Sequence, residues 1–203
     1  PSPEAVAADP ALAQGATDGV EIDQGILLAN VLASPRVGTS LCHAMLLPLP
    51  ESGEAAARLA ADGRLDLGPV SLERRGRAVH VTAANPRFLN AEDDTTLRLM
   101  EVAVDAAIAD PHSEIMVLRG GPVEHRKYAG RRVFGAGINL THLYRGRIPF
   151  VWFMVRDLGY VHKLFRGLAA PETVPDDVSG RTTEKPWIAA VDAFAIGGHC
   201  QLL

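Results

Sequence analysis

Trp187-Ile188-Ala189-Ala190-Val191, followed by Phe194-Ala195-Ile196-Gly197-Gly198-His199-Cys200-Gln201-Leu202-Leu203, carries the pattern that decides the fold. The first run is apolar and uncharged and reads as a buried strand. The glycine pair then permits a tight turn, and the apolar residues after it begin a helix. Glycines at a strand-to-helix junction leave backbone N–H groups bare and directed out of the turn, where they can hold an oxyanion. The chain stops one turn into that helix, so part of the machinery is expected beyond residue 203.

Working back from that segment, strands and helices alternate. Ala78 to Ala83 alternates in polarity like a strand with one covered face. Leu97, Met100, Val104 and Ile108 recur at helical spacing, and Asp110-Pro111 ends that helix. Ile115 to Leu118 is continuously apolar, as in a strand covered on both faces. Val133 to Asn139 reads as a short strand entering a turn. Ile148 to Gly167 reads as one long helix with Phe150, Phe153, Met154, Leu158, Val161 and Phe165 on a stripe. Pro171 to Thr183 is a polar linker expected to be mobile. The alternation predicts an α/β domain over 76–203. Residues 1–75 are rich in Ala, Leu and Gly, with helices expected over Asp23 to Ala33 and Glu54 to Ala61 and Pro35, Pro48, Pro50 and Gly53 punctuating them, and read as an all-helical N-terminal domain.

Composition removes several classes of function. Twenty basic residues stand against 24 acidic ones, for a net charge of −4, so the balance gives no electrostatic footprint for nucleic acid. Aromatics make up only 5%, too few for base-stacking platforms. The longest apolar stretch, Ile148 to Met154, is far too short to span a bilayer. Cys42 and Cys200 are the only cysteines and imply no disulfide framework. Together with the lack of a signal-like N-terminus, this predicts a cytoplasmic protein that binds neither nucleic acid nor membrane.

Three motif readings fail on spacing. Gly135-Ala136-Gly137 lacks the third glycine of a dinucleotide fingerprint, since Leu140 stands there. The seven histidines do not pair at metal-ligand spacing. Cys200 reads as a small buried packing residue rather than a nucleophile. What remains is two glycine-bearing strand ends, Ala136-Gly137-Ile138-Asn139 and Gly197-Gly198-His199. Side by side, they let the Ile138 and Gly198 amides converge on one carbonyl oxygen. Spacing alone is met equally by two ordinary tight turns.

Four segments carry a resemblance. Asn85-Pro86-Arg87-Phe88-Leu89-Asn90-Ala91, Ile115 to Gly120, Phe134 to Leu140 and Lys185-Pro186-Trp187 through Gly198 resemble, in order, motifs of the crotonase (enoyl-CoA hydratase/isomerase) superfamily. The resemblance covers roughly 76–203. It implies a crotonase-like (ββα)n spiral core behind an N-terminal helical domain, with the C-terminal part of the family core outside this chain. It implies that Ile138 and Gly198 hold the thioester oxygen of an acyl-CoA and stabilise its enolate. It also implies a homo-oligomer, trimeric or hexameric.

Gln201 stands where hydratases carry a glutamate, and an amide cannot manage the protons of a water nucleophile. With the His125 to Leu140 stretch and the helical N-terminus, this resembles most a cofactor-free branch of the superfamily belonging to glycopeptide antibiotic biosynthesis. The implied reaction converts 3,5-dihydroxyphenylacetyl-CoA and O2 to 3,5-dihydroxyphenylglyoxylate and CoA, with no metal or cofactor. Two readings stand beside it, a crotonase-type enoyl-CoA hydratase/isomerase and a non-catalytic acyl-CoA-binding subunit. Glu92, Arg156 and Gln201 are the candidates to anchor the dihydroxyphenyl ring. Ala136, Gly137, Asn139 and Gly197 line the two turns. His125, Arg126, Lys127 and Tyr128, with Arg131 and Arg132 behind them, are candidates for the phosphates or adenine of CoA, and Arg87 is a weaker one. His199 replaces a family glycine, a place where a side chain either crowds the thioester or turns the backbone slightly, and His199→Gly tests for improved turnover.

Overall fold

The computed structural model describes residues 2–17, 19–175 and 181–203. Helices come first: α1 (Pro3–Ala8), α2 (Val20–Ala33), α3 (Pro35–Leu46) and α4 (Ser52–Asp62). Then follow β1 (Arg64–Asp66), β2 (Val70–Arg75), β3 (Ala78–Ala83), α5 (Leu97–Ala109), β4 (Ile115–Gly120), β5 (Val133–Gly135) and α6 (Leu140–Tyr144). The chain continues through α7 (Phe150–Arg156), α8 (His162–Arg166), β6 (Leu168–Ala169), β7 (Thr182–Thr183), β8 (Trp187–Ala190) and β9 (Asp192–Ala195). A 3-10 helix, Gly197–Leu202, closes it.

One five-stranded sheet runs in the order β1-β2-β3-β4-β8. β1, β2 and β3 form an antiparallel meander, and β3, β4 and β8 are parallel. Parallel neighbours require crossovers, and α5 supplies the first. Met100, Ala103, Val104, Ala107 and Ile108 of α5 are buried with Val79 and Val81 of β3 and Met116 and Leu118 of β4 in one core. Lys185 ties β8 to this layer, its Nζ donating to the Asp110 and Ala107 carbonyls at the carboxyl end of α5.

β5 and β9 pair in a second, smaller parallel sheet. An isolated parallel bridge between Glu92 and Ile138 extends it. Each strand of the main sheet's parallel half is thus followed by a short extended segment in the second layer and then by helix. That repeated unit is the ββα spiral, and the ends of its three second-layer segments carry Glu92, Ile138 and Gly198.

The structure corrects several expectations. Residues 64–75 are strands of the main sheet, so the helical part ends at Asp62. Pro35 opens α3 at a position where its missing N–H costs nothing, with Ser34 as the capping residue. β4 alternates buried and less buried residues, with Ile115 exposed, so it is not covered on both faces. The expected helix over 148–167 is interrupted by a π-type turn at Asp157–Val161, with Gly159 outside helical dihedrals. After this turn the buried Lys163 meets Glu101 and Asp105, each at 2.8 Å. Phe165 leaves the predicted stripe and is exposed. The stretch between Val191 and the glycine pair forms a further strand, β9, and the helix expected at the pair is the 3-10 helix Gly197–Leu202. Cys200 is exposed, not buried. The linker over 171–183 falls partly on residues 176–180, outside the described residues. Among the described residues no helix is long and apolar enough to cross a membrane.

Candidate active site

The turn after β3 is built by a small polar network. Leu89 and Asn90 adopt left-handed dihedrals, a conformation tolerated when side-chain hydrogen bonds hold it. Asn90 donates through Nδ2 to the Gly121 and Val133 carbonyls and accepts from the Asn85 amide through Oδ1. Asn85 and Asn139 both donate to Asp93 Oδ2 at 2.8 Å. These contacts lock Glu92 beside the second turn. The Glu92 amide donates to the Gly137 carbonyl, and the Asn139 amide donates to the Glu92 carbonyl, each at 2.8 Å.

That pairing orients Ile138. Its peptide is planar and trans, so its N–H lies opposite the Gly137 carbonyl and points away from the Glu92 backbone. Gly137 has φ +80°, and a β-carbon there would lie 2.9 Å from the Ile196 carbonyl oxygen and 3.5 Å from the Gly198 nitrogen. The two glycine-bearing strand ends therefore do meet. Neither the Ile138 amide nor the Gly198 amide donates to an acceptor among the described residues, and both residues are only half-buried. Unspent, accessible main-chain donors are uncommon beside a core, and here two sit on adjoining turns.

Arg156, 1% exposed, lies beneath them. Its Nε and Nη2 hold Glu92 Oε2 at 2.9 Å, and Nη2 also donates to the Gly198 carbonyl at 2.8 Å. Its Nη1 donates to Asp157 Oδ1 and Gln201 Oε1, each at 2.6 Å. Every guanidinium nitrogen thus has a protein partner. Arg156 joins the Glu92 turn to the Gly198 turn. Burial pushes the Glu92 carboxyl above its usual range, and the adjacent guanidinium opposes that rise. Gln201 is exposed and turns its carbonyl to Arg156, which leaves its NH2 group to donate.

His199 points inward beneath the turns rather than over them. It is 3% exposed, lies edge-on to Phe134, and accepts the Gly137 N–H through Nδ1 at 3.0 Å. It therefore does not crowd the space in front of the two free amides. The basic loop lies farther out. Arg126, Lys127 and Tyr128 form a 3-10 turn capped by His125, with Lys127 and His125 against the Tyr128 ring. Tyr128 meets Phe194 of β9, and Arg131 pairs with Asp192 at 2.5 Å. This loop is tied to the strand leading into Gly197, but its cations are not among the residues that converge on the turns. Arg87 is exposed and lies over Phe88.

Among the described residues one group, Asp93, Asp94 and His142, has donor atoms close enough to share a cation. These atoms already serve protein partners: His142 meets Asp94 at 2.6 Å, Asp94 pairs with Arg147, and Asp93 receives Asn85, Asn139 and Thr95. A groove of about 460 Å3 runs along β8 and is lined by Leu164, Phe165, Trp187 and Leu203 among others, none of them from the convergent turns. Sequence reasoning missed the Asn85–Asn90–Asp93–Asn139 network and Asp157. The asparagines at both ends of the Asn85 to Ala91 motif were its only available signal.

The chain is similar in sequence to enzymes acting on acyl-CoA esters, and its fold is that of an enoyl-CoA hydratase/isomerase. It is 44% identical over its whole length to the (3,5-dihydroxyphenyl)acetyl-CoA 1,2-dioxygenase of Amycolatopsis orientalis, and spans 46% of that protein. It is 29% identical, over 68% of its length, to the short-chain-enoyl-CoA hydratase of Clostridium acetobutylicum, of which it covers 44%. The crystal structure of an enoyl-CoA hydratase/isomerase from Xanthobacter autotrophicus Py2 shares the fold, with a TM-score of 0.51 at 22% identity over 68% of this chain and 43% of that one. The chain thus spans about half the length of the curated relatives it matches. No protein-family model matches it.

Proposed function

We propose that these turns form the acyl-CoA site of a metal- and cofactor-free dioxygenase acting on 3,5-dihydroxyphenylacetyl-CoA. The observation that carries this reading is the pair of unspent amides, Ile138 and Gly198, on adjoining turns braced by Arg156. The thioester oxygen accepts both N–H groups, and the α-carbon loses a proton to give an enolate whose charge sits on that oxygen. Conjugation with an electron-rich ring lets the carbanion pass an electron to O2. Recombination forms a C–O bond at the α-carbon, the distal peroxide oxygen adds to the thioester carbon, and O–O cleavage with loss of CoA completes the reaction. One thioester and one O2 give one arylglyoxylate and one CoA, so atoms balance without an added reductant.

Gln201 supports this reading over hydration. A neutral amide beside Arg156 leaves no carboxylate at the position from which a hydratase would activate water. Two carboxylates, Glu92 and Asp157, lie against Arg156, and both are held by its guanidinium. Binding of the CoA phosphates by the loop over His125 to Tyr128, and assembly into trimers or hexamers, belong to the same proposal.

The test is oxygen uptake with 3,5-dihydroxyphenylacetyl-CoA in the presence of a chelator. The reading predicts equal consumption of O2 and release of CoA, with the arylglyoxylate as product. Hydration of crotonyl-CoA without O2 uptake would support a hydratase instead. Binding of the ester without turnover would support a non-catalytic subunit.

A further inference from the structure

We infer that His199 is a positioning residue that fixes the Ile138 amide by holding the Gly137 N–H on its Nδ1, an inference that rests on the acyl-CoA reading above. The two peptides on either side of the Gly137 α-carbon are each gripped. The Glu92 amide holds the Gly137 carbonyl, in the peptide that bears the Ile138 N–H, and His199 holds the Gly137 N–H, in the peptide before it. His199 is also the residue after Gly198, and its own amide is bonded to the Ile196 carbonyl at 3.2 Å. One side chain therefore links the two turns whose amides must share an oxygen. Because the contact is made across the turns, a shift of one donor relative to the other must break it.

The surroundings are shaped for this ring. A β-carbon at Gly135 would collide with the imidazole, so the glycine at that position makes the space His199 occupies. Accepting an N–H requires an unprotonated Nδ1, which places the neutral ring's proton on Nε2. Two charged groups face it. Glu92 Oε2 lies 3.9 Å from Nδ1, and the Arg156 guanidinium opposes protonation. Burial contributes most, and with the Arg156 charge it brings the pKa down to about 4, so the ring stays an acceptor at neutral pH.

Two substitutions separate positioning from bulk. His199→Asn places an amide carbonyl oxygen on the γ-carbon, where the histidine ring carries Nδ1, whereas His199→Leu fills space without an acceptor. The readouts are solvent-deuterium exchange at the α-carbon of 3,5-dihydroxyphenylacetyl-CoA under nitrogen, and binding of the thioether analogue lacking the carbonyl. His199→Leu is expected to slow exchange on the order of 100-fold, as misplaced or lost oxyanion donors do, with thioether affinity unchanged. His199→Asn is expected to recover exchange to within about tenfold of the parent, most of what one neutral hydrogen bond is worth. Equal losses in both variants, a parallel fall in thioether affinity, or a leucine variant exchanging like the parent would overturn the inference. Absence of exchange in the unaltered protein would overturn the acyl-CoA enolisation reading itself, and this role with it. Should the leucine variant fail to fold, 15N NMR of the parent decides. An Nε2-protonated ring at pH 7 supports the role, and an Nδ1-protonated ring or an imidazolium refutes it.

Discussion

Replacing Gly137 by alanine puts the proposed site under the most specific stress. Gly137 has φ +80°, and an alanine methyl there would press on the Ile196 carbonyl oxygen from 2.9 Å. The left-handed conformation alone costs an L-residue roughly 1–2 kcal/mol. Relieving the contact with Ile196 adds a further cost of about 1 kcal/mol, in line with modest overpacking. A total of about 2–3 kcal/mol lowers the melting temperature by roughly 4–12 °C in a domain of this size, yet leaves the protein folded at 25 °C on an ordinary stability of about 5–15 kcal/mol. The relief moves the two turns apart, so O2 uptake should fall on the order of 100- to 1000-fold, as when an oxyanion donor is lost. Gly68→Ala is the control. Its φ is +88°, and a β-carbon there meets nothing within 4 Å. It should lose roughly 1–2 kcal/mol without change in turnover. Scanning calorimetry and an oxygen electrode on the three proteins suffice. If Gly137→Ala is destabilised like the control and still turns over like the parent, these turns are not the oxyanion site.

Two further outcomes follow from buried charge. Arg156→Met strands the Glu92 carboxylate in the interior, and should cost about 3–5 kcal/mol in urea unfolding. Adding Glu92→Gln should restore part of that loss, and a simple sum of the two single effects would show the pair to be uncoupled. His199, with its folded pKa brought to about 4 against 6.5, binds fewer protons in the folded than in the unfolded state between those values. Stability should therefore be fully retained above pH 6.5 and fall as the pH drops toward 4. A difference of about 2.5 at 1.36 kcal/mol each gives a fall of about 3 kcal/mol. His199→Asn should flatten the urea-midpoint profile across that window, and an unchanged profile would assign the acid sensitivity elsewhere.

The parts of the fold that sequence makes legible are those where periodicity and packing agree. Leu97, Met100, Val104 and Ile108 lie on a helix crossing the sheet, so burial and spacing coincide and both ends of α5 are readable. β2 is equally readable in principle, since Val70 and Leu72 are buried between more exposed neighbours. The helical composition of the residues before it hides it. α3 escapes because Pro35 looks like a break, although at the first turn of a helix a proline favours the start. The break in 148–167 is marked locally only by Gly159, and the wide turn goes with a distant partnership, Lys163 with Glu101 and Asp105. The same distinction holds at the site. The glycine pairs mark the turns correctly because positive φ is a local demand. The direction of His199 and the engagement of Arg156 are set by residues 42 to 64 positions away, and no pattern near either residue records them.

Infrared difference spectroscopy of the bound 13C-labelled thioester carbonyl, under nitrogen, probes the claim at the atom concerned. If the Ile138 and Gly198 amides both grip that oxygen, its stretching band shifts to lower frequency on binding, and Gly137→Ala returns it toward the position seen in water. A band that does not move on binding, or that moves equally in Gly137→Ala, contradicts the account.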